Sequence, residues 1–495
     1  MSDALLMAFG HVFAPYTLMV IVIASVLGIV LGAIPGLTAV MGAALLVPFT
    51  FFMDPVPAIA SLVAMSAMAI FAGDIPATLV RVPGTPASAA YADEAYRMTL
   101  KGQPGRALGM CMASSAIGGI FGTIVLIAAA PSLAKVATSF SSPEYFWLAV
   151  LGLSCAAFLA TGSPLRGLIA LLIGVFLTCI GIDVATGITR FTFGSVELLG
   201  GVDFIPVLVG LFAIPELVRM MTAHEDSRPN VPKLTNVFRG LGRDLWDCRK
   251  QIMRGNVVGT LIGVLPGAGA DIAAWVSYAM SKKLSRTPEK FGTGHIEGLA
   301  EAGASNNSAL GGAWIPTVVF GIPGDSITAI VIGVLILKGM EPGPAIFLKT
   351  PDLIYALFIV FILANLFMVP LGWMVIRMSR YILTVPRGAV AAFILVTCII
   401  GAYAINNSLF DVGVMLAMGL LGWFMEENDI PVAPTILGLV LGRMVEFNFI
   451  QTMIKGEGDL TTLVSRPIAA VLAIITLLIW AMTVRGMVRD RTANA

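Results

Sequence analysis

Four Pro-Gly pairs interrupt apolar stretches of the 495-residue chain, and small polar residues follow each pair. Proline removes a helical hydrogen bond and clashes with the preceding turn, while glycine loosens the backbone. Inside a membrane such breaks are tolerated where the freed backbone is buried in protein or lines a cavity. A helix that restarts after a break directs free N–H groups into that cavity, which stabilises an anion. The pairs are Pro35-Gly36, Pro83-Gly84, Pro266-Gly267 and Pro323-Gly324.

Four consecutive small polar residues form a second candidate group at Ser305-Asn306-Asn307-Ser308, inside an apolar run. An asparagine amide can donate to a carboxylate, accept from water or coordinate an ion. In hydrocarbon the amide must be satisfied, so these side chains should face the bundle interior. The alternative is an interhelical polar clamp with small-residue packing. A ligand role predicts that Asn307→Ala abolishes transport while the protein still inserts.

Three ionisable residues near the breaks each have two interpretations. Arg81 could attract a carboxylate, or its side chain could extend to the cytoplasmic interface. Asp325 could ligate Na⁺ or take a proton, or it could cap the helix that restarts after Gly324, and Asp271 is similar. Asp74 lies seven residues before Arg81, which is too far for an intrahelical pair in a regular helix.

No catalytic motif is present. The sequence contains no GxSxG, HExxH or Walker A motif. Its five cysteines and three histidines are scattered, so they suggest neither a metal site nor a disulfide framework. We therefore expect no enzymatic activity, and no cofactor other than a coupling ion. An ion gradient or another subunit must then supply the energy.

The composition is that of a membrane protein: 58% of residues are hydrophobic, 12% are charged and the net charge is +1. Soluble domains carry about a quarter charged residues. With a mean hydropathy of +0.93, these values exclude a soluble enzyme, a disordered chain and a basic nucleic-acid binder. They predict an all-α polytopic membrane protein with roughly 11–14 hydrophobic segments.

An internal repeat relates the two halves. GAIPGLTA at 32–39 matches GVLPGAGA at 263–270, and IPATLVRVPG at 75–84 matches IPTVVFGIPG at 315–324. The flanking loops differ in positive charge in the sense expected for opposite membrane orientations. We therefore predict two inverted-topology repeats with broken or re-entrant Pro-Gly helices, an architecture of secondary transporters with a midplane site. A duplicated bundle with parallel halves is the alternative.

The predicted site combines the breaks with the asparagines, because unwound carbonyls can coordinate Na⁺ and helix N-termini an anion. The alternative is that each Pro-Gly pair is a kink that only shapes helix packing. Four pairs placed symmetrically in two repeats favour a ligand-binding site instead. The candidate substrate-binding residues are Gly36, Thr38, Arg81, Gly84, Thr85, Ser88, Gly267, Gly269, Asn306, Asn307, Gly324, Ser326 and Thr328. The candidate Na⁺ ligands are Pro35, Pro266, Asp271, Ser305, Asn307 and Asp325.

Basic loops set the predicted orientation. The longest polar segment, 223–254, is rich in Arg and Lys, and like the basic C-terminus it should be cytoplasmic. The N-terminus lacks the positive region of a signal peptide, so the first apolar run is expected to be a retained helix. The predicted segments are 1–110 (first repeat core), 111–222 (intervening transmembrane helices), 223–254 (cytoplasmic loop), 255–350 (second repeat core) and 351–495 (C-terminal transmembrane helices).

Several long motifs, in order, make the sequence resemble the large permease of the tripartite tricarboxylate transporters, the TctA family. The resemblance covers roughly residues 18 to 440. The matching pieces are GAIPGLTAVMGAALLVPFTFFMDP at 32–55, RVPGTPASAAYADEAYRMTLKGQPGRALG at 81–109, GVLPGAGADIAAWVSYAMSKKLS at 263–285 and GGAWIPTVVFGIPGDSITAIVIGVLILKGMEPGPAIF at 311–347.

The resemblance implies a multi-pass permease of the bacterial inner membrane that imports carboxylates, usually by Na⁺ symport. It also implies two partners, a small four-helix membrane subunit (TctB-like) and a periplasmic solute-binding protein (TctC-like). The expected surroundings are the lipid bilayer, with no nucleic acid. The rival hypothesis is an ion or solute channel, because broken helices and asparagine-lined cavities also build channels.

Overall fold

The protein is all-α and polytopic, as predicted. The computed structural model describes residues 2–34, 37–159, 163–183, 186–222, 234, 236–383 and 385–493. The structure is 79% helical, and its two short strands, Gly181–Ile182 and Thr189–Arg190, pair antiparallel. Within the described residues, eight helices are long and apolar enough to cross a membrane, and five shorter apolar helices accompany them. Together these thirteen apolar helices fall within the predicted range of roughly 11–14 hydrophobic segments.

Twenty-two helices follow one another along the described chain. The first half contains α1 Ser2–Val12, α2 Pro15–Ala33, α3 Ala39–Phe51, α4 Pro55–Ala72, α5 Asp74–Val80, α6 Pro86–Ala89, α7 Ala92–Leu100, α8 Pro104–Ala137, α9 Ser142–Leu159, α10 Pro164–Thr178 and α11 Phe204–Thr222. The second half contains α12 Leu241–Asp247, α13 Arg249–Gly263, α14 Gly269–Leu284, α15 Ile296–Phe320, α16 Ser326–Leu337, α17 Ile346–Lys349, α18 Pro351–Ile382, α19 Arg387–Asn406, α20 Leu409–Glu427, α21 Ala433–Lys455 and α22 Pro467–Ala493. Short 3₁₀ turns lie at Glu197–Gly200, Pro288–Lys290 and Leu460–Leu463.

Each repeat begins with a helical hairpin. Gly28 and Gly32 of α2 pack against the backbone of Met65 and Ala69 in α4, so these two helices run in the same direction. The intervening α3 must therefore return the chain towards the level where α2 began. In the second repeat the glycines of α13 pack in the same parallel sense on α15, with α14 returning between them. The lack of side chains allows this close backbone approach.

A second break follows the long helical segment of each repeat, which is α4 with α5 in the first repeat and α15 in the second. After α5 the chain turns at Arg81, whose φ is 60°, and after α15 it turns at Gly321, whose φ is 69°. The following residues fold back along the helix, so that Gly84 packs against Gly73 and Gly324 packs against Ala313. These pairs occupy equivalent positions in the two repeats, since the motifs align without a gap.

The two repeats interlock. In the first, α4 packs on α18, the helix that follows the second repeat, while α15 packs on α8, which follows the first. The elements after the second breaks are also exchanged, because α16 packs on α3 and α6 packs on α14. Such paired exchange is what a pseudo-two-fold relation produces. The opposite membrane orientations of the repeats, and the five predicted segments, stay predictions.

Candidate functional site

A cavity of about 280 Å³ lies where the breaks of both repeats meet. It contains backbone or side chains from the hairpin tips, from the second breaks and from the middle of α15. The predicted site residues that line it are Thr38, Thr85, Gly267, Gly269, Asp271, Asn306, Asp325 and Ser326. A larger cavity of about 770 Å³, lined partly by Arg190 and Arg443, contains none of the predicted site residues.

Three helices of at least twelve residues begin at this cavity. They are α3, α14 and α16, and their first residues, Ala39, Gly269 and Ser326, all line it. The short α6 begins there as well, at Pro86. The N-terminal N–H groups of a helix have no intrahelical partner, and each N-terminus carries a partial positive charge. The arrangement therefore favours a negatively charged ligand group.

The helix that follows the second break of each repeat, α6 or α16, begins with a capping box. Thr85 caps α6, accepting from the backbone N–H of Ser88, while Ser88 Oγ accepts from Thr85 N. Asp325 caps α16 with Thr328 in the same reciprocal arrangement. Both pairs stand at equivalent positions of the repeat. Asp325 thus caps α16 while also lining the cavity, whereas Ser88 and Thr328 act within the caps and do not line it.

Asp271 links the repeats. It lies in the first turn of α14, and one carboxylate oxygen accepts from the backbone N–H of Ala87 in α6, 3.1 Å away. One turn later, Trp275 Nε1 donates to the carbonyl of Pro86 at 3.2 Å. The tip of the second repeat is therefore held directly against the break of the first. Asp271 does not cap its own helix.

The adjacent asparagines point in different directions. Asn306 lines the cavity, and its amide donates to the Tyr91 hydroxyl at 3.4 Å. Asn307 instead donates to the Ser115 carbonyl at 3.3 Å and to Asn365 Oδ1 at 3.4 Å, on the α8 and α18 side. Consecutive residues of a helix are about 100° apart, which produces this divergence. Ser305 donates to the Ala273 carbonyl and so holds α15 against α14.

The remaining predicted residues that the structure describes lie away from the cavity lining. Arg81 is well exposed, and its guanidinium pairs with the exposed Asp93 at 2.8 Å. Gly84 and Gly324 pack against helix backbone, as described above. Pro266 does not line the cavity, although the adjacent Gly267 does. Pro35 and Gly36 lie outside the described residues.

Three charged lining residues were not predicted from the sequence. Glu216 and Arg219 come from α11 and Glu426 comes from α20. Arg219 donates to Glu216 at 2.8 Å and also pairs with Glu426. Among the described lining residues Arg219 is the one basic side chain, and four acids, Glu216, Glu426, Asp271 and Asp325, line the same cavity. The only sequence signal was their position at the end of apolar runs, where charged residues are usually interfacial.

Comparisons with known proteins found one family model and two relatives that match the chain. The family model described as "Tripartite tricarboxylate transporter TctA family" matches residues 18–437. A relative from Agrobacterium vitis, described as "Uncharacterized 52.8 kDa protein in TAR-I ttuC' 3'region", is 35% identical over 95% of this chain and 94% of its own length. A second from the same organism, "Uncharacterized protein in TAR-II ttuC' 3'region", is 37% identical over 43% of this chain and 88% of its own length.

No solved structure matches the chain significantly. The family match spans well over half of the sequence and includes both hairpins and both second breaks. The chain therefore belongs to the tripartite tricarboxylate transporter TctA family.

Proposed function

We propose that the chain is the large permease subunit of a binding-protein-dependent secondary transporter that imports a carboxylate, with Na⁺ as the coupling ion. The observation that carries the proposal is the cavity between the repeats, where three helix N-termini, the Asn306 amide and Arg219 converge. Family membership supports transport by a tripartite system, and the hydrogen-bond donors that line the cavity support an anionic ligand.

A carboxylate fits the donors that line this cavity. A helix N-terminus contributes about 0.3–1 kcal/mol to the binding of a nearby anion. A hydrogen bond to a charged group contributes about 1.5–3 kcal/mol. Arg219 and the Asn306 amide would provide such bonds, and Thr85 and Ser326 would provide weaker hydroxyl contacts.

The surplus of acids explains why a cation should accompany the substrate. Four carboxylates and one guanidinium line the cavity, so an added anion meets net negative charge. A bound cation would remove part of that repulsion and so couple the two bindings. Of the candidate Na⁺ ligands, Asp271 and Asp325 line the cavity, and carboxylate oxygens suit a hard cation.

We infer two partners, a small four-helix membrane subunit and a periplasmic solute-binding protein, from membership of a tripartite system. We also propose the bacterial inner membrane as the location, with the 223–254 loop and the C-terminus in the cytoplasm. The basic residues of both segments support this orientation.

Uptake into proteoliposomes tests the proposal. Vesicles would contain this chain and its small membrane partner. Labelled citrate, succinate and benzoate would be offered with and without the solute-binding protein, under an imposed Na⁺ gradient. We expect saturable uptake of at least one acid that requires both the binding protein and Na⁺. Flux that needs neither would contradict the proposal and support a channel.

A further inference from the structure

A buried carboxylate lies behind the cavity in the first repeat. Asp74 is the first residue of α5, separated from the end of α4 only by Gly73, and its side chain is fully buried. Its Oδ1 accepts a hydrogen bond from the Tyr91 hydroxyl at 2.7 Å. Its Oδ2 has no nitrogen or oxygen donor within the described part of the chain, and the Cys111 thiol donates to the carboxylate. None of the ion pairs found there includes Asp74.

The groups that face Asp74 carry no positive charge. The titratable side chains that interact with it are the Tyr91 hydroxyl and, from α8, the Cys111 thiol. The neighbouring helices α4 and α6 contain no acid or base, and α2 contains only Tyr16. The charged residues of α7 and of the start of α8 have other partners or are exposed. In α7, Asp93 pairs with Arg81, Glu94 accepts backbone N–H groups of Gly292, Gly294 and His295, and Arg97 is exposed. In α8, Arg106 pairs with Asp244.

A hydrogen-bond chain joins this carboxylate to the cavity. Asn306, which lines the cavity, donates through Nδ2 to the Tyr91 hydroxyl, and Tyr91 in turn donates to Asp74. The Asn306 Oδ1 has no hydrogen-bond partner within the described residues. All donors of the chain point towards Asp74, and this direction suits an ionised carboxylate, which can only accept.

Protonation of Asp74 would reverse this chain. An ionised carboxylate without a cation nearby is costly to bury, so a proton is the simplest way to neutralise it. With the proton on Oδ1, the carboxyl donates to the Tyr91 oxygen instead of accepting from it, and the Tyr91 hydroxyl hydrogen is then directed towards Asn306 Oδ1. The Asn306 amide would then turn its NH₂ group towards the cavity, where it can donate to a carboxylate.

We propose that Asp74 is a proton-binding site of the transport cycle, and that its protonation turns Asn306 into a donor for the carboxylate in the cavity. The inference rests on the proposed function and deepens it, because it adds a proton to the species that are transported with the carboxylate. The proton passes between water and a carboxylate oxygen of Asp74, with no other bond made or broken. The surroundings favour a proton over Na⁺, since a thiol is a poor ligand for a hard cation.

Proton uptake on substrate binding tests the site. The purified full-length chain would be placed in weak buffer with a pH-sensitive dye, at a pH where the free acid is fully ionised. The acid would be whichever of citrate, succinate or benzoate the uptake panel selects. Linkage predicts that binding takes up about one proton per substrate in the wild type and none in Asp74→Asn. In vesicles without a Na⁺ gradient, an inward proton gradient should accelerate uptake by the wild type but not by this variant.

Two further variants keep the test decisive. Asp93→Asn makes the same acid-to-amide change on the exposed surface and should retain wild-type proton uptake. Tyr91→Phe keeps the carboxylate but cuts the chain to Asn306, so substrate affinity should lose its dependence on pH. This variant decides the matter if Asp74→Asn does not assemble. Substrate exchange across the membrane, which needs no gradient, shows whether each variant is folded.

The outcomes separate the two proposals. If the wild type transports none of the three acids, the proposed function fails. If it transports one of them with no proton uptake, and with pH dependence unchanged in Asp74→Asn and Tyr91→Phe, the proposed function stands and the proton site is wrong.

Discussion

At the scale of single residues, Arg219 is the side chain that partly offsets the negative charge of the cavity lining. It is held between Glu216 and Glu426, and both helices involved, α11 and α20, lie outside the two predicted repeat cores. A guanidinium in this position can bind a carboxylate in two parallel hydrogen bonds. The two glutamates orient it towards the cavity but also compete with a bound substrate. Its contribution to substrate affinity is therefore a direct test of the ligand class.

We expect Arg219→Gln to raise the KM for the transported acid by at least tenfold, since a hydrogen bond to a charged group contributes about 1.5–3 kcal/mol. Arg219→Lys should give a smaller increase, because lysine keeps the charge but not the paired geometry. Initial rates of uptake in proteoliposomes measure both. Arg166→Gln removes a half-exposed arginine that pairs with Asp429, outside the cavity lining, and should leave KM unchanged. An unchanged KM in Arg219→Gln would exclude it as a substrate contact.

Residue types were easier to predict than side-chain directions. The sequence identified both asparagines, but only the packing of α15 between α8 and α14 decides which of them reaches the cavity. The Asp325 cap could be predicted, because its equivalent, Thr85, stands at the same position of the repeat. Arg219 was missed because a charged residue at the end of an apolar run has no distinctive pattern. Asp74 was noticed, but its partner Tyr91 becomes a neighbour only after the chain turns back.

At the scale of elements, the turn at Arg81 shows what the repeat requires of its backbone. Its equivalent in the second repeat is Gly321, and both have positive φ. A side chain makes this conformation unfavourable by about 1–2 kcal/mol, whereas glycine adopts it freely. Arg81 is exposed, and its surface ion pair with Asp93 contributes little. The structure thus gives Arg81 a place in the turn, away from the cavity.

Arg81→Gly should keep wild-type uptake and change the free energy of unfolding by no more than about 1 kcal/mol, because relief of the strained φ offsets the added freedom of the unfolded chain. Gly321→Ala, the reverse change at the equivalent turn, should destabilise the protein. Thermal unfolding in detergent and vesicle uptake measure the two effects. Loss of uptake in Arg81→Gly with normal folding would instead support the alternative in which Arg81 attracts the substrate.

The contact between α13 and α15 depends on glycines. A methyl group on Gly259 would overlap the Ser305 carbonyl and the Ser308 hydroxyl. Gly259→Ala should therefore destabilise the fold by about 1–3 kcal/mol, the usual cost of overpacking. Gly413→Ala is the matched control, since a methyl group on this glycine of α20 meets nothing within 4 Å. Equal melting temperatures for the two variants in detergent would contradict the close packing.

The breaks were predictable as elements, and their three-dimensional course was not. Proline next to glycine within an apolar run is a strong local signal, and all of the described pairs do separate helices. The sequence could not show that the chain folds back along α5 and α15 after each long helix. That course depends on the small residues Gly73 and Ala313, which leave room for Gly84 and Gly324.

At the scale of the whole molecule, polar contacts fasten one repeat to the other at both hairpins. Lys338, which follows the last residue of α16, donates to the carbonyl of Phe51 in the last turn of α3 at 2.9 Å and to that of Met53, just beyond the helix, at 2.6 Å. On the other hairpin, Tyr278 of α14 donates to the buried Glu94 of α7 at 3.0 Å. The exchanged elements are thus tied at their outer ends, while their inner ends surround the cavity.

Opposite orientation of the repeats predicts which surface residues share a side of the membrane. In a variant without its five cysteines, single cysteines at Lys101 and Lys283 should react with a membrane-impermeant reagent from the same, cytoplasmic side. Cysteines at the exposed positions Phe52 and Glu341 should react only from the opposite side. Labelling of right-side-out and inverted vesicles measures this. Reaction of Lys101→Cys and Lys283→Cys from opposite sides would support parallel halves.

The central claim is that the cavity between the repeats binds the transported carboxylate, and the adjacent asparagines test it most directly. Asn306 lines the cavity, while Asn307 binds α8 and α18. The measurement is the Kd of the transported acid for purified Asn306→Ala and Asn307→Ala. We expect Asn306→Ala to raise Kd about tenfold, as loss of one hydrogen bond of about 1.4 kcal/mol requires. Asn307→Ala should lower thermal stability but leave Kd unchanged. Lost binding in Asn307→Ala, with normal binding in Asn306→Ala, would contradict the account.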